Sequence, residues 1–264
     1  MPNDPPIPAA LSLDGLAGPA RDSFDLAASA GYAGIAIATN HPELSPDKLD
    51  LSARRHVRKI LDSKHLNLAA LRIATPRGSL TDPATIDRTM DSARKAIDLA
   101  RDLGIHTLAL NLGNLASTTV SQSTLISALR QLAQAVDASG TPLSLAFSAD
   151  TSAPLADILK QVDYDYARIN LEGARLIAAG ESPLDAAANF AGRIAQFTAS
   201  DAIRAGSSLR PVELGQGQLP LSEILALLHE QGFRGPTVVD LRNLPNSPAA
   251  ALHAAHLLRM ALRP

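Results

Sequence analysis

Charged and polar side chains recur where short apolar segments of this chain end. Glu172 follows the apolar segment 167–171, and Asp240 lies near the end of segment 237–241. Carboxylates can exchange protons with a substrate, and the planar fork of arginine suits carboxylate or phosphate oxygens. These chemistries point to a small polar ligand. Candidate ligand-binding side chains lie at or just past other segment ends: His41, Arg72, Arg77, Asn111, Arg175 and Arg242.

The elements that must position these residues follow one repeated pattern. An Ala- or Leu-rich helical segment ends near a glycine, and a short apolar segment follows it, as in 27–40, 99–113, 135–148 and 227–242. Gly104, for example, suits the left-handed position that follows a helix. Alternation of helix and buried strand indicates parallel strands joined by crossover helices.

Eight such strands are predicted, which is the number that closes a parallel barrel. The sequence therefore predicts an α/β fold, a single (β/α)8 TIM barrel over residues 1–264, with its strands between about 7 and 241 and a closing helix over 247–263. An open doubly wound sheet is the rival, but segment 14–18 lacks its Gly-rich phosphate fingerprint. Asp82-Pro83 and Ser182-Pro183 are predicted helix starts. In such a barrel the site lies at the carboxyl ends of the strands.

Composition excludes several classes of function. The 264 residues carry a net charge of −2 and only 3% aromatic residues, which argues against a nucleic-acid surface. The chain contains no cysteine, so disulfides and thiolate chemistry are excluded. No segment reads as a signal peptide or as a membrane span. We therefore expect a cytoplasmic protein without nucleic-acid or membrane partners, and we leave an oligomer open.

Four segments resemble the xylose isomerase-like sugar phosphate isomerase/epimerase family, in order and with matching spacing. They are Gly31-Tyr32-Ala33-Gly34-Ile35, Ala100-Arg101-Asp102-Leu103-Gly104, Ile169-Asn170-Leu171-Glu172-Gly173, and Val212-Glu213-Leu214-Gly215-Gln216-Gly217 with Gly232-Phe233-Arg234-Gly235. The resemblance runs from about residue 11 to residue 241. It implies a TIM barrel that acts on a small carbohydrate.

The resemblance also implies a divalent metal held by four side chains at the ends of strands five to eight, with two carboxylates moving a proton between carbons. The matching positions here are Ala146, Glu172, Thr198 and Asp240. Glu172 and Asp240 are therefore the candidate catalytic residues and the remnant metal positions. Arg175 stands where the family often has histidine. We expect no tightly bound cofactor, and a rearranged metal site using His41, Asp150, Glu172 and Asp240 is the alternative.

Three functions remain open at this point. The first is an isomerase or epimerase that acts on or binds a small sugar, sugar phosphate or polyol, with the usual metal site altered. The second is an inactive barrel that serves as a small-molecule-binding or protein-interaction scaffold. The third, the DNA-repair endonuclease branch of the superfamily, needs more metal ligands and a basic groove. The arginines favour a small anionic, hydroxyl-rich ligand, and Gly78 beside Arg77 would let the backbone approach it.

Overall fold

A computed structural model describes residues 7–146, 153–245 and 247–262, and it shows a closed parallel barrel. Around the barrel, the first strand pairs with both the second and the last, which closes the sheet. The strands in chain order are β1 (Ile7–Ser12), β2 (Tyr32–Ala38), β3 (Asn67–Ile73), β4 (Leu108–Asn111), β5 (Leu143–Ala146), β6 (Ala167–Glu172), β7 (Ile194–Ala199), β8 (Asp201–Ala205), β9 (Ser208–Val212) and β10 (Thr237–Val239). The predicted single α/β barrel is confirmed.

Helices cover the outside of the barrel. In chain order they are α1 (Ala20–Ala30), α2 (Leu51–Ser63), α3 (Ile86–Leu103), α4 (Gln122–Asp137), α5 (Ala153–Val162), α6 (Gly173–Ala179), α7 (Pro183–Asn189), α8 (Leu221–Glu230) and α9 (Ser247–Ala261). Each longer helix presents one apolar face to the strands. On α4 that face is Leu125, Leu129, Leu132 and Val136, all buried at helical spacing. Among the described residues, no helix is both long and apolar enough to cross a bilayer.

The structure differs from the sequence prediction in three elements. α3 begins at Ile86 rather than at Asp82-Pro83, because Asp82 accepts the Ala84 N–H at 2.9 Å in a separate turn that precedes the helix. α6 is a helix that the sequence does not predict, and it follows β6 without a loop. An antiparallel hairpin, β8–β9, stands between β7 and α8, where the sequence predicts no strand.

Asp201 anchors that hairpin to the barrel. Its carboxylate is buried and accepts four backbone N–H groups at 2.8–3.0 Å, from Ala202, Gly215, Gly217 and Leu219. Gly217 is required by this close approach, since a Cβ there would lie 2.2 Å from Asp201 Oδ1. The segment that joins the hairpin to α8 is therefore folded around one side chain.

Small residues line part of the barrel interior. Ala10, Ala36, Ala69, Ala70 and Val238 form a cluster separate from the main core, which lies between the strands and the helices. TIM barrels usually fill this space with bulky branched side chains. Three residues of the cluster, Ala36, Ala70 and Val238, line a cavity that enters from the carboxyl ends of the strands.

Candidate active site at the barrel mouth

The register of the strands brings the four carried-over positions to one edge of the barrel. Asn111 pairs with Ala146, and Glu172 pairs with Thr198 on the next strand. Asp240 follows β10 and donates its N–H to Ala199 at 3.1 Å, which places it beside the end of β7. The ends of β4 to β7 and of β10 thus form one continuous edge of the barrel.

A cavity of about 230 Å³ opens at this edge. Seven of the eight predicted site residues line it: Arg72, Arg77, Asn111, Glu172, Arg175, Asp240 and Arg242. Their convergence follows from the topology, since parallel strands deliver all their carboxyl ends to one rim.

Three arginines at the mouth pair with three carboxylates. Arg72 Nε donates to Asp14 Oδ2 at 2.6 Å, and Arg175 Nε donates to Glu172 Oε2 at 2.5 Å. Both carboxylates are mostly buried, so these charge-assisted hydrogen bonds fix the side chains in place. In both pairs the Nε atom makes the internal contact, and no described residue is a partner of the terminal Nη groups.

Arg242 lies between two carboxylates. Its Nε donates to Asp240 Oδ1 at 3.0 Å and to Oδ2 at 2.7 Å, and its Nη2 contacts both Asp240 Oδ2 and Glu172 Oε1, the latter at 3.4 Å. Burial lowers the pKa of Arg242, but Asp240, Glu172 and Asp14 outweigh burial and raise that pKa above its ordinary value. Arg242 is therefore a permanent cation in the centre of the mouth.

The mouth has a surplus of positive charge. Four arginines and three carboxylates line the cavity, which gives it a net charge of +1 if every group is ionised. Arg77 is the fourth arginine; it is exposed and forms no ion pair within the described part of the chain. The remaining charge favours an anionic ligand at the rim.

A polar network forms the wall of the cavity on β6 and β7. Gln196 Nε2 donates to Thr198 Oγ1 at 2.9 Å, and Thr198 Oγ1 donates to Asn170 Oδ1 at 2.8 Å. Gln196 Oε1 is buried and accepts no hydrogen bond from any described residue. Sequence reasoning missed Asn170 and Gln196, although polar residues at every second position of a buried strand are the signal of an inward-facing polar wall.

Two predicted site residues have other roles in the structure. His41 does not line the cavity; its Nδ1 accepts the Glu43 N–H at 3.2 Å, and burial lowers the pKa of His41 although Glu43 and Asp14 raise it. Asn111 lines the cavity, but its Oδ1 accepts the Gly113 N–H at 2.9 Å within the turn that leaves β4. Asp150, named for a rearranged site, lies outside the described residues.

Gly78 is small for a reason other than ligand approach. A Cβ at this position would lie 2.4 Å from the Cβ of Asp82, so the glycine is needed for the packing of the turn before α3. Arg77 is thus presented at the rim by a tightly packed loop.

The residues present do not fit the metal that the resemblance implies. Ala146 has no ligand atom, and Thr198 uses its hydroxyl in the polar network. Glu172 and Asp240 direct their oxygens at guanidinium groups. Within residues 7–146, 153–245 and 247–262, no group of three or more His, Cys, Asp or Glu side chains is arranged to hold a metal ion.

Solved structures with the same fold include carbohydrate enzymes. A xylose isomerase domain protein from Planctomyces limnophilus is 19% identical with a TM-score of 0.83, the match covering 98% of each chain. A D-psicose 3-epimerase from Clostridium cellulolyticum H10, solved with D-tagatose, is 14% identical with a TM-score of 0.78 over 97% of this chain and all (100%) of the other. At these identities the likeness concerns the fold.

A third solved structure holds a metal ion. It is a xylose isomerase-like TIM barrel protein from Mycobacterium smegmatis in complex with magnesium, 17% identical with a TM-score of 0.77 over 97% of this chain and 96% of the other. A search of curated proteins finds no match. The family model described as xylose isomerase-like TIM barrel matches residues 24–261. Together with the closed barrel, this match shows that the chain belongs to the xylose isomerase-like TIM barrel family.

Proposed function

We propose that the barrel mouth binds a small anionic carbohydrate, such as a sugar phosphate or a sugar acid. The observation that carries this proposal is the surplus cation: Arg77 stands at the rim without an ion pair to any described residue, above a cavity of about 230 Å³. An acidic group on the ligand would take the place of the missing counter-charge.

The wall of the cavity supports the hydroxyl-rich part of this ligand. Gln196 Oε1 is a buried acceptor without a described partner, and an unpaired buried acceptor is costly unless a ligand or a water satisfies it. A ligand hydroxyl can donate to this oxygen. The acidic group at the rim and the hydroxyls near β6 and β7 together describe a sugar acid or sugar phosphate.

A thermal-shift screen with matched pairs tests the charge requirement. Ribose 5-phosphate is compared with ribose, and gluconate with glucose. At about 100 times its dissociation constant, a bound ligand adds about 2.7 kcal/mol to the unfolding free energy. We expect anions to raise the melting temperature and their neutral partners to leave it unchanged. Equal shifts within both pairs, or no shift with any anion, would contradict the proposal and favour the protein-interaction scaffold.

Arg77→Ala locates the binding site. We expect it to weaken the affinity for the best anion about five- to tenfold, the usual loss for one charge-assisted contact. The matched control is Arg88→Ala, which removes the same charge from an exposed position on α3. Isothermal titration calorimetry measures both. Equal weakening by the two variants would place the anion elsewhere.

Isomerisation or epimerisation is the second candidate function, favoured by one observation: two carboxylates, Glu172 and Asp240, line the cavity that the ligand would enter. A carboxylate beside a substrate carbon that bears a hydroxyl group can remove the proton bound to that carbon. Incubation with sugar phosphates in D₂O tests this, since proton removal introduces deuterium that NMR detects. We expect exchange in the native protein and its loss in Glu172→Gln. If none of the sugar phosphates takes up deuterium, the isomerase proposal fails and ligand binding without turnover is left.

A further inference from the structure

We propose that Arg242 occupies the place of the divalent cation in this barrel and makes the site independent of metal. The geometry is that of a cation held by two carboxylates: the guanidinium contacts Asp240 through Nε and Nη2 and Glu172 through Nη2. A metal ion between the same carboxylates would have to displace this group. The inference deepens the proposed function, because it names the fixed cation of the ligand site.

The remaining donors of Arg242 face a ligand. Nε and Nη2 are used by the carboxylates, whereas Nη1 has no partner in the described ranges. Arg242 lines the cavity and its side chain is 31% exposed, so Nη1 is the part of the guanidinium left for a ligand. Its N–H groups can donate to a carbonyl or hydroxyl oxygen of the carbohydrate, the kind of oxygen that a metal ion would otherwise polarise.

The backbone around Arg242 holds this arrangement. The Arg242 N–H donates to Asp240 Oδ1 at 3.0 Å, so the same carboxylate binds the main chain and the side chain of one residue. Gly15 packs against this segment: its φ is +88°, and a Cβ there would lie 3.1 Å from Arg242 Cα. The loop after β1 thus packs against the backbone of Arg242, and Asp240 holds both the main chain and the guanidinium of that residue.

The test is a two-by-two comparison of Mn²⁺ binding, measured by electron paramagnetic resonance without any carbohydrate. Arg242→Met removes the cation and keeps the stem, and Thr198→His adds an imidazole at the adjacent strand end. We expect no specific Mn²⁺ binding by the native chain or by Thr198→His. The double variant should bind one Mn²⁺ at least about tenfold more tightly than Thr198→His. Arg242→Lys is the control. It keeps a positive charge between the two carboxylates, so this variant should bind no Mn²⁺.

Two results would overturn this inference. One is Mn²⁺ binding by Thr198→His as tight as that of the double variant, because Arg242 would then not compete with the ion. The other is stoichiometric Mn²⁺ binding by the native chain, a measurement that stands even if the variants do not fold. Since neither experiment contains a ligand, failure of the carbohydrate proposal leaves both results unaffected.

Discussion

At the residue scale, single buried carboxylates organise long stretches of backbone. Asp201 satisfies four N–H groups of the segment 202–219. Asp14, Glu172 and Asp240 each hold an arginine at the mouth. Position in the fold, rather than residue type, separates the structural carboxylate from the three that line the cavity.

We expect Asp201→Asn to lower the unfolding free energy by about 3 kcal/mol, because an amide NH₂ would face N–H groups that need an acceptor. Chemical denaturation measures the change. The control is Asp157→Asn, whose side chain is 69% exposed and pairs only with Lys160 in the described structure; it should cost less than about 0.5 kcal/mol. Similar losses in both variants would show that the four backbone hydrogen bonds add nothing.

At the element scale, the capping residue and proline at Ser182-Pro183 predicted a helix start correctly, whereas those at Asp82-Pro83 did not. Ser182 accepts the Asp185 N–H at 3.2 Å, and Pro183 occupies the first turn of α7, as the Ser-Pro pair indicates. α7 has only seven residues, and short helices are marginal on their own, so its cap should matter.

We expect Ser182→Ala to lower the unfolding free energy by about 1 kcal/mol, since it leaves an N–H of the first turn without its acceptor. Ser182→Asn keeps an acceptor at the same position and should restore most of the loss. Urea denaturation of both variants gives the comparison. If asparagine is no better than alanine, the side-chain cap does not stabilise α7.

The sequence predicts strands better than the elements between them. Buried strands appear as apolar segments, so all eight barrel strands were located within a few residues of their observed bounds. The β8–β9 hairpin was missed because it carries exposed residues such as Leu209 and Arg210 without clear alternation, and its anchor, Asp201, acts through backbone groups that have no sequence signature. The residues at the mouth were predicted from the ends of the strands. Their pairing, with Arg242 between two carboxylates, depends on distances in space that the spacing of residues along the sequence does not give.

At the scale of the whole molecule, the closed barrel has a seam between its first and last strands that α9 covers. Ala9 pairs with Thr237 across the seam. Tyr32 Oη donates to Ala251 O at 2.8 Å, and Arg259 Nη2 donates to Ala30 O at 2.6 Å, so α9 is tied to the junction of α1 and β2. The closing helix is thus part of the barrel wall.

The one-domain organisation of all 264 residues stays a prediction.

We expect Leu258→Ala to lower the unfolding free energy by about 3 kcal/mol. This side chain lies on the buried face of α9, and its truncation leaves a cavity between the helix and the barrel. Leu252→Ala removes the same atoms from a position on α9 that is 52% exposed, and it should change stability by less than about 0.5 kcal/mol. Thermal and chemical unfolding of the pair check this. Equal effects would mean that α9 does not pack on the barrel as described.

The alanine-rich interior has a consequence for how tightly a ligand can be held. Alanine has no rotamers to lose, and the paired arginines at the mouth are already restrained by Asp14, Glu172 and Asp240. A molecule that enters this cavity therefore orders few protein side chains, and Arg77 is the main one that must give up its conformational freedom. The ordering of protein side chains should therefore cost little on binding, and the removal of water from the charged groups should cost more.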